Sequence, residues 1–84
     1  MKALVHVTLK SDVLDPQGKA IQHACGSLGY DGVTEVRQGK LFEVTLDAKS
    51  EEAARALLAE LSDKLLANPV IEDYEIVKIE AQGG

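Results

Sequence analysis

The sequence predicts an α+β fold in a single domain, 1–84: a two-layer sandwich with both helices on one face of an antiparallel sheet. Three observations carry this expectation. Apolar residues alternate in four short runs, the period of half-buried strands. Two intervening stretches repeat apolar residues every three or four positions, the period of a helix face. Start and stop residues stand at the matching ends of both stretches.

The first run, 2–10, places Ala3, Val5, Val7 and Leu9 on one face and Leu4, His6 and Thr8 on the other. It stops at Asp12-Val13-Leu14-Asp15-Pro16-Gln17-Gly18, the stretch around which the chain is organised. Asp15 fits an N-cap and Pro16 a first helical position, because a carboxylate accepts from orphan first-turn amides and proline has no amide to leave unpaired. Gly18 breaks the local rule, since glycine inside a helix costs about 0.8–1.0 kcal/mol relative to alanine. That cost points to a close approach to the backbone there. The helix expected over 16–28 carries Ala20, Ile21, Ala24, Cys25 and Leu28 as its buried stripe, with Gly29 as its stop.

A second strand is expected over 33–37 and a third over 41–47, joined by a hairpin at Gln38-Gly39-Lys40. Phe42, Val44 and Leu46 form the inner face of the third strand. Ser50 caps the second helix, with Glu51 and Glu52 in its first turn, where negative charge is favoured. Ala53, Ala54, Leu57, Leu58, Leu61 and Leu65 supply its stripe, and Glu60 with Lys64 an outer pair. Pro69 ends this helix. The fourth strand covers 73–80, and Gln82-Gly83-Gly84 is expected to fray.

The order strand, helix, strand, strand, helix, strand is that of the ferredoxin-like βαββαβ fold, which leaves one sheet face open. The last strand is apolar in both phases, with Tyr74 and Ile76 set against Val77 and Ile79. A sheet apolar on both sides implies a covered second face. A second copy of the chain is the expected cover, giving a homo-oligomer, dimer or tetramer, that associates through Tyr74, Ile76, Val77 and Ile79.

Composition narrows the function classes. A net charge of −5 and scarce aromatics argue against nucleic acid, which is held by clustered Lys and Arg and by stacking platforms. One cysteine excludes an internal disulfide framework, and His6, His23 and Cys25 lack the spacing of a zinc site. No apolar run is long enough to cross a bilayer, and a soluble, cytoplasmic protein is expected. No nucleophile, base and acid are brought together by the expected elements, so no catalytic residue, cofactor or metal is assigned. His6 and His23 read as surface or interface residues and Cys25 as a small hydrophobe. The glycines Gly26, Gly29 and Gly32 follow a helix, where a phosphate loop would follow a strand.

Four segments add a resemblance. Val13-Leu14-Asp15-Pro16-Gln17-Gly18-Lys19-Ala20, Leu28-Gly29-Tyr30, Val36-Arg37-Gln38-Gly39-Lys40 and the run from Leu65 to Tyr74 resemble, in order and spacing, the PurS family. That family is the small subunit of phosphoribosylformylglycinamidine synthase. The resemblance covers essentially the whole chain, with Gln38 at a variable position. It implies a role in purine biosynthesis, in a ligase complex that converts formylglycinamide ribonucleotide, ATP and glutamine to formylglycinamidine ribonucleotide, ADP, phosphate and glutamate. A large synthetase subunit would use the ATP, a glutaminase subunit would release ammonia, and the small subunit would join them without an active site of its own.

On this reading, Asp15, Pro16, Gln17 and Gly18 at the helix start, and Arg37, Gly39 and Lys40 in the hairpin, are candidate partner contacts. In a split βαβ fold these two groups are free to lie at different ends of the sheet and to serve different partners. Two other classes stay open on the residues alone: a stand-alone ferredoxin-like module that binds a small regulatory molecule, and a small enzyme working through His6 or His23. Fold analogy does not separate them.

Overall fold

The computed structural model describes residues 1–80; the tail expected to fray, 82–84, lies outside them. Strand β1 (Lys2–Leu9) leads to helix α1 (Pro16–Ser27), strand β2 (Gly39–Thr45), helix α2 (Glu51–Leu61) with a π-helical last turn (Ser62–Leu66), and strand β3 (Glu72–Glu80). The sheet runs β2-β1-β3, antiparallel throughout, so the first strand is the central one. The expected α+β architecture, two helices with an antiparallel sheet, is observed.

β1 takes the central place because every second residue is apolar and small enough to lie under a helix. Ala3, Val5 and Val7 are fully buried, and Leu58 of α2 and Ala67 pack on them. Phe42, Val44 and Leu46 close this core from one side and Tyr74, Ile76 and Ile79 from the other. The α2 stripe is narrower than its sequence suggests. Ala54, Leu58 and Ser62, one turn apart, face the sheet, whereas Leu57 and Leu65 are 47% and 76% exposed. The Ser62 hydroxyl is buried without a hydrogen-bond partner at the start of the π turn.

Two sequence expectations change. Residues 33–37 form no ladder, so among the described residues β2 pairs with β1 alone and its outer edge is free. Those residues lie along α1 instead: Gln22 Nε2 donates to the Thr34 carbonyl at 2.8 Å, and the Val36 carbonyl crosses Gly18. The second change concerns β3. Leu4 pairs with Lys78 and Val5 with Ile76, which leaves Val77 as an extra residue in a β-bulge. The bulge resets the phase of the strand, so Tyr74, Ile76 and Ile79 all turn to the same core and only Val77 is exposed, at 53%. What reads in sequence as two apolar faces is one face with a slip in it.

α1 ends as its sequence dictates. Gly29, at φ +91, takes the left-handed position, with its amide donating to the Gly26 carbonyl and the Tyr30 amide to the Cys25 carbonyl. Its stripe, however, finds no cover. Of α1 only Gly18 is buried, and Ile21 and Leu28 are 46% and 73% exposed. The helix makes no extensive contact with any strand, and the molecule measures 50 × 30 × 14 Å, with a radius of gyration of 16.3 Å. A compact chain of this length has about 12 Å.

Candidate functional site: the Asp15 junction

The site is built where the turn after β1 meets the segment that enters β2. Asp15 is 5% exposed and both carboxylate oxygens are engaged. Oδ1 accepts from the Gly18 amide at 3.1 Å, the expected N-cap bond, and Oδ2 accepts from the Gln38 amide across the junction. The Gln38 amide above all, then the Gly18 amide and the nearby Arg37 guanidinium, hold the Asp15 carboxyl below the ordinary carboxylate range. One buried acid thus caps a helix and pins a distant strand entry.

Gly18 finds its reason here. A Cβ added to it would stand 2.1 Å from the Val36 carbonyl oxygen and 2.9 Å from Asp15 Oδ2, so only glycine lets the two backbones cross. Gly39 is crowded mainly by side chains, its Cβ position 2.7 Å from His6 Nε2 and 2.8 Å from Thr8 Cγ2, with the Val7 carbonyl oxygen at 2.9 Å. Arg37 turns back across the junction, where Nη2 donates to the Lys10 carbonyl at 3.0 Å and the Val13 carbonyl at 2.9 Å. The Glu35 carboxylate lies 3.9 Å from Nη1. Lys40 Nζ is 3.7 Å from Glu72 Oε2, and the other Glu72 oxygen accepts from the Asn68 amide at 2.8 Å. Pro16, Gln17, Gly39 and Lys40, with Val7 and Leu9 as floor, edge an open cleft of about 270 Å³.

The expected hairpin at Gln38-Gly39-Lys40 does not form, because Gly39 and Lys40 open β2 and pair with Thr8 and Val7; the helix start and this strand entry, expected to be free to lie at different ends of the sheet, are one structure joined by the Asp15–Gln38 bond. Arg37 is engaged mainly by its own chain, whereas Lys40, 65% exposed at its side chain, and Gln17 remain open to solvent. Sequence reasoning missed Gln38, because it contributes a backbone amide that any residue but proline could supply. It also missed Val36, whose carbonyl is the object Gly18 makes room for.

His6 lies on the open sheet face, opposite Leu41 and Glu75 on its two neighbouring strands. His23 is exposed on α1 and Cys25 is half-buried. Among the described residues no three His, Cys, Asp or Glu side chains gather where a metal ion could be held, and no helix is long and apolar enough to cross a membrane.

The fold and the junction define a small α+β module, in which the residues of its most distinctive motifs brace one backbone crossing. Comparison with known proteins is specific. The family model PurS, described as phosphoribosylformylglycinamidine (FGAM) synthase, matches residues 2–80. The phosphoribosylformylglycinamidine synthase subunit PurS of Bacillus subtilis is 49% identical over 83 residues, covering 96% of this chain and 98% of that protein. The crystal structure of PurS from Methanocaldococcus jannaschii, one of the subunits of formylglycinamide ribonucleotide amidotransferase, superposes with a TM-score of 0.82 at 44% identity, covering 94% of this chain and 98% of that one. A chain in the structure of PurLQS from Thermotoga maritima superposes with a TM-score of 0.81 at 27% identity, covering 94% and 99%. The chain belongs to the PurS family of phosphoribosylformylglycinamidine synthase.

Proposed function

We propose that this chain is the small, non-catalytic subunit of phosphoribosylformylglycinamidine synthase in purine biosynthesis, joining a glutaminase subunit to an ATP-using synthetase subunit so that ammonia passes between them. The observation that carries the reading is its full-length match to PurS chains, one of them in the PurLQS structure. A joining role also suits the junction, which holds two backbone segments rigidly and leaves Gln17 and Lys40 at the rim of a cleft. Lys40 is a suitable rim charge for a carboxylate on a larger subunit, where it would steer encounter and orientation. The complex would work in the cytoplasm.

Self-association belongs to the same proposal. Leu41 at 63% and Val77 at 53% exposure, together with the unburied Ile21, Leu28 and Tyr30 of the α1 region, are apolar surface open to a second copy. The free outer edge of β2 is a further surface for a second copy.

Reconstitution tests the reading. Added to the two larger subunits, the chain should restore glutamine-dependent synthesis and should matter much less when ammonia is supplied directly. An equal requirement with both nitrogen sources would refute the coupling role.

A further inference from the structure

We infer that residues 14–36 form an arm whose angle to the sheet is set by a two-way latch, Asp15 fastening the ingoing limb to the outgoing one and Arg37 fastening the outgoing limb to the ingoing one. The ties it rests on lie within one chain, while the exposed apolar face of the arm is the surface that the proposed self-association would cover. Four observations carry the inference.

Apolar burial does not hold the arm in place. α1 makes no extensive contact with any strand and buries only Gly18, while Ile21, Leu28 and Tyr30 are 46%, 73% and 61% exposed. The arm is nonetheless braced internally. The glycine stop at Gly29, the Tyr30 amide on the Cys25 carbonyl and Gln22 on the Thr34 carbonyl fold the segment after α1 back along the helix. Both limbs cross at its base, with the Val36 carbonyl seated on Gly18. At that crossing the side-chain ties are charge-assisted and reciprocal: Asp15 Oδ2 takes the Gln38 amide, and Arg37 Nη2 gives to the Lys10 and Val13 carbonyls.

A segment joined to a packed core by two neighbouring chain crossings, with little buried area along its length, has the anatomy of a hinge. The Asp15–Arg37 latch is its stop. Releasing it should let the arm swing while the sheet stays intact, because the core of Val5, Val7, Leu58, Ile76 and Phe42 lies outside the arm.

The chain carries a single cysteine, Cys25, on α1, which makes a direct test possible. A Glu52→Cys substitution supplies a second label site on the first turn of α2. Pulsed electron spin resonance is then read with the labelled chain diluted into unlabelled protein, so that distances within one chain dominate. Asp15→Ser keeps a helix cap but is too short to reach Gln38, and Arg37→Met removes both carbonyl ties. In the double variant the distribution of distances between the two labels should broaden about twofold or more, with amide exchange in β1 unchanged. Arg37→Met alone, with the cap untouched, should broaden the distribution less and serves where the double variant does not fold. An unchanged width in either folded variant overturns the latch. So does a loss of amide protection in β1, since the two residues would then support the whole fold.

Discussion

Replacing Gly18 with alanine puts two effects of opposite sign on one helix position. Alanine in place of glycine favours a helix by about 0.8–1.0 kcal/mol. Against this, the new Cβ would lie 2.1 Å from the Val36 carbonyl oxygen, where 3.4 Å is ordinary contact, and the obstacle is backbone that cannot rotate away. The outgoing limb must retreat by more than an ångström. Overpacking of this kind costs about 1–3 kcal/mol. The retreat also strains the Gln38 amide bond to Asp15, two residues further on, and a hydrogen bond to a charged group contributes about 1.5–3 kcal/mol. Collision and bond together outweigh propensity, so Gly18→Ala should destabilise by about 1.5–5 kcal/mol, and the melting temperature should fall by about 4–8 °C for each kcal/mol in a domain of this size. Gly26→Ala is the control on the same helix: nothing lies within 4 Å of its Cβ position, so it should stabilise by up to about 1 kcal/mol. Both are read by urea and thermal unfolding at one matched protein concentration, because association would otherwise shift the midpoint. If Gly18→Ala proves as harmless as Gly26→Ala, the backbone crossing is not as described and the reasoning on the junction fails.

Three further outcomes follow from the same geometry. Asp15 has its carboxyl lowered by the Gln38 and Gly18 amides, so its ionised form supports the fold above the unfolded carboxyl value of 3.8, and that support is lost as pH falls through the lower folded value; Asp15→Asn should flatten the acid limb of a urea-midpoint titration, and an unaltered limb would count against the amide contacts. Ser62→Ala removes a buried hydroxyl with no partner and should stabilise by about 1 kcal/mol, whereas a loss of stability would reveal a bond that the hydroxyl makes. Arg37→Ala should cost about 1 kcal/mol through its two carbonyl ties, while Lys40→Ala should stay within about 0.5 kcal/mol and weaken only binding to the larger subunits, checked by unfolding and by calorimetry with the partners.

Much of this architecture is legible before any coordinates. The Asp15-Pro16 helix start, the Gly29 stop and the Ser50 cap follow from hydrogen-bonding needs at helix ends, and each is observed. Gly18 is legible as a question: its cost inside a helix says that something comes close, and the Val36 carbonyl is the answer. Arg37 is not legible in its true role, because its partners are the carbonyls of Lys10 and Val13, groups that every residue carries. Residues 33–37 alternate like a strand, but pairing needs a neighbour to pair with. Their backbone is drawn along α1 by Gln22 and Gly18 before it can reach β2.

The bulge in β3 is invisible in sequence for a simpler reason, and it decides how self-association has to be tested. Period-two reading assumes an unbroken pleat, so one inserted residue exchanges the faces of everything beyond it. Val77 and Ile79, two apart, look equivalent in sequence; the extra residue makes them opposites, Val77 53% exposed and Ile79 packed on the core. A charge at both positions would therefore confound two effects. Ile79→Lys should remove core contact and place an ammonium against Ala3, its partner on β1, costing about 2–5 kcal/mol. Such a loss would unfold much of a marginal chain at any concentration. Val77→Lys leaves the core untouched and should retain native circular dichroism and unfolding slope. If copies associate through the open sheet face, that variant alone should lower the sedimentation coefficient at micromolar protein. A folded Val77→Lys protein that sediments like the unmodified chain would move the search for the interface to the free edge of β2 and the bare stripe of α1.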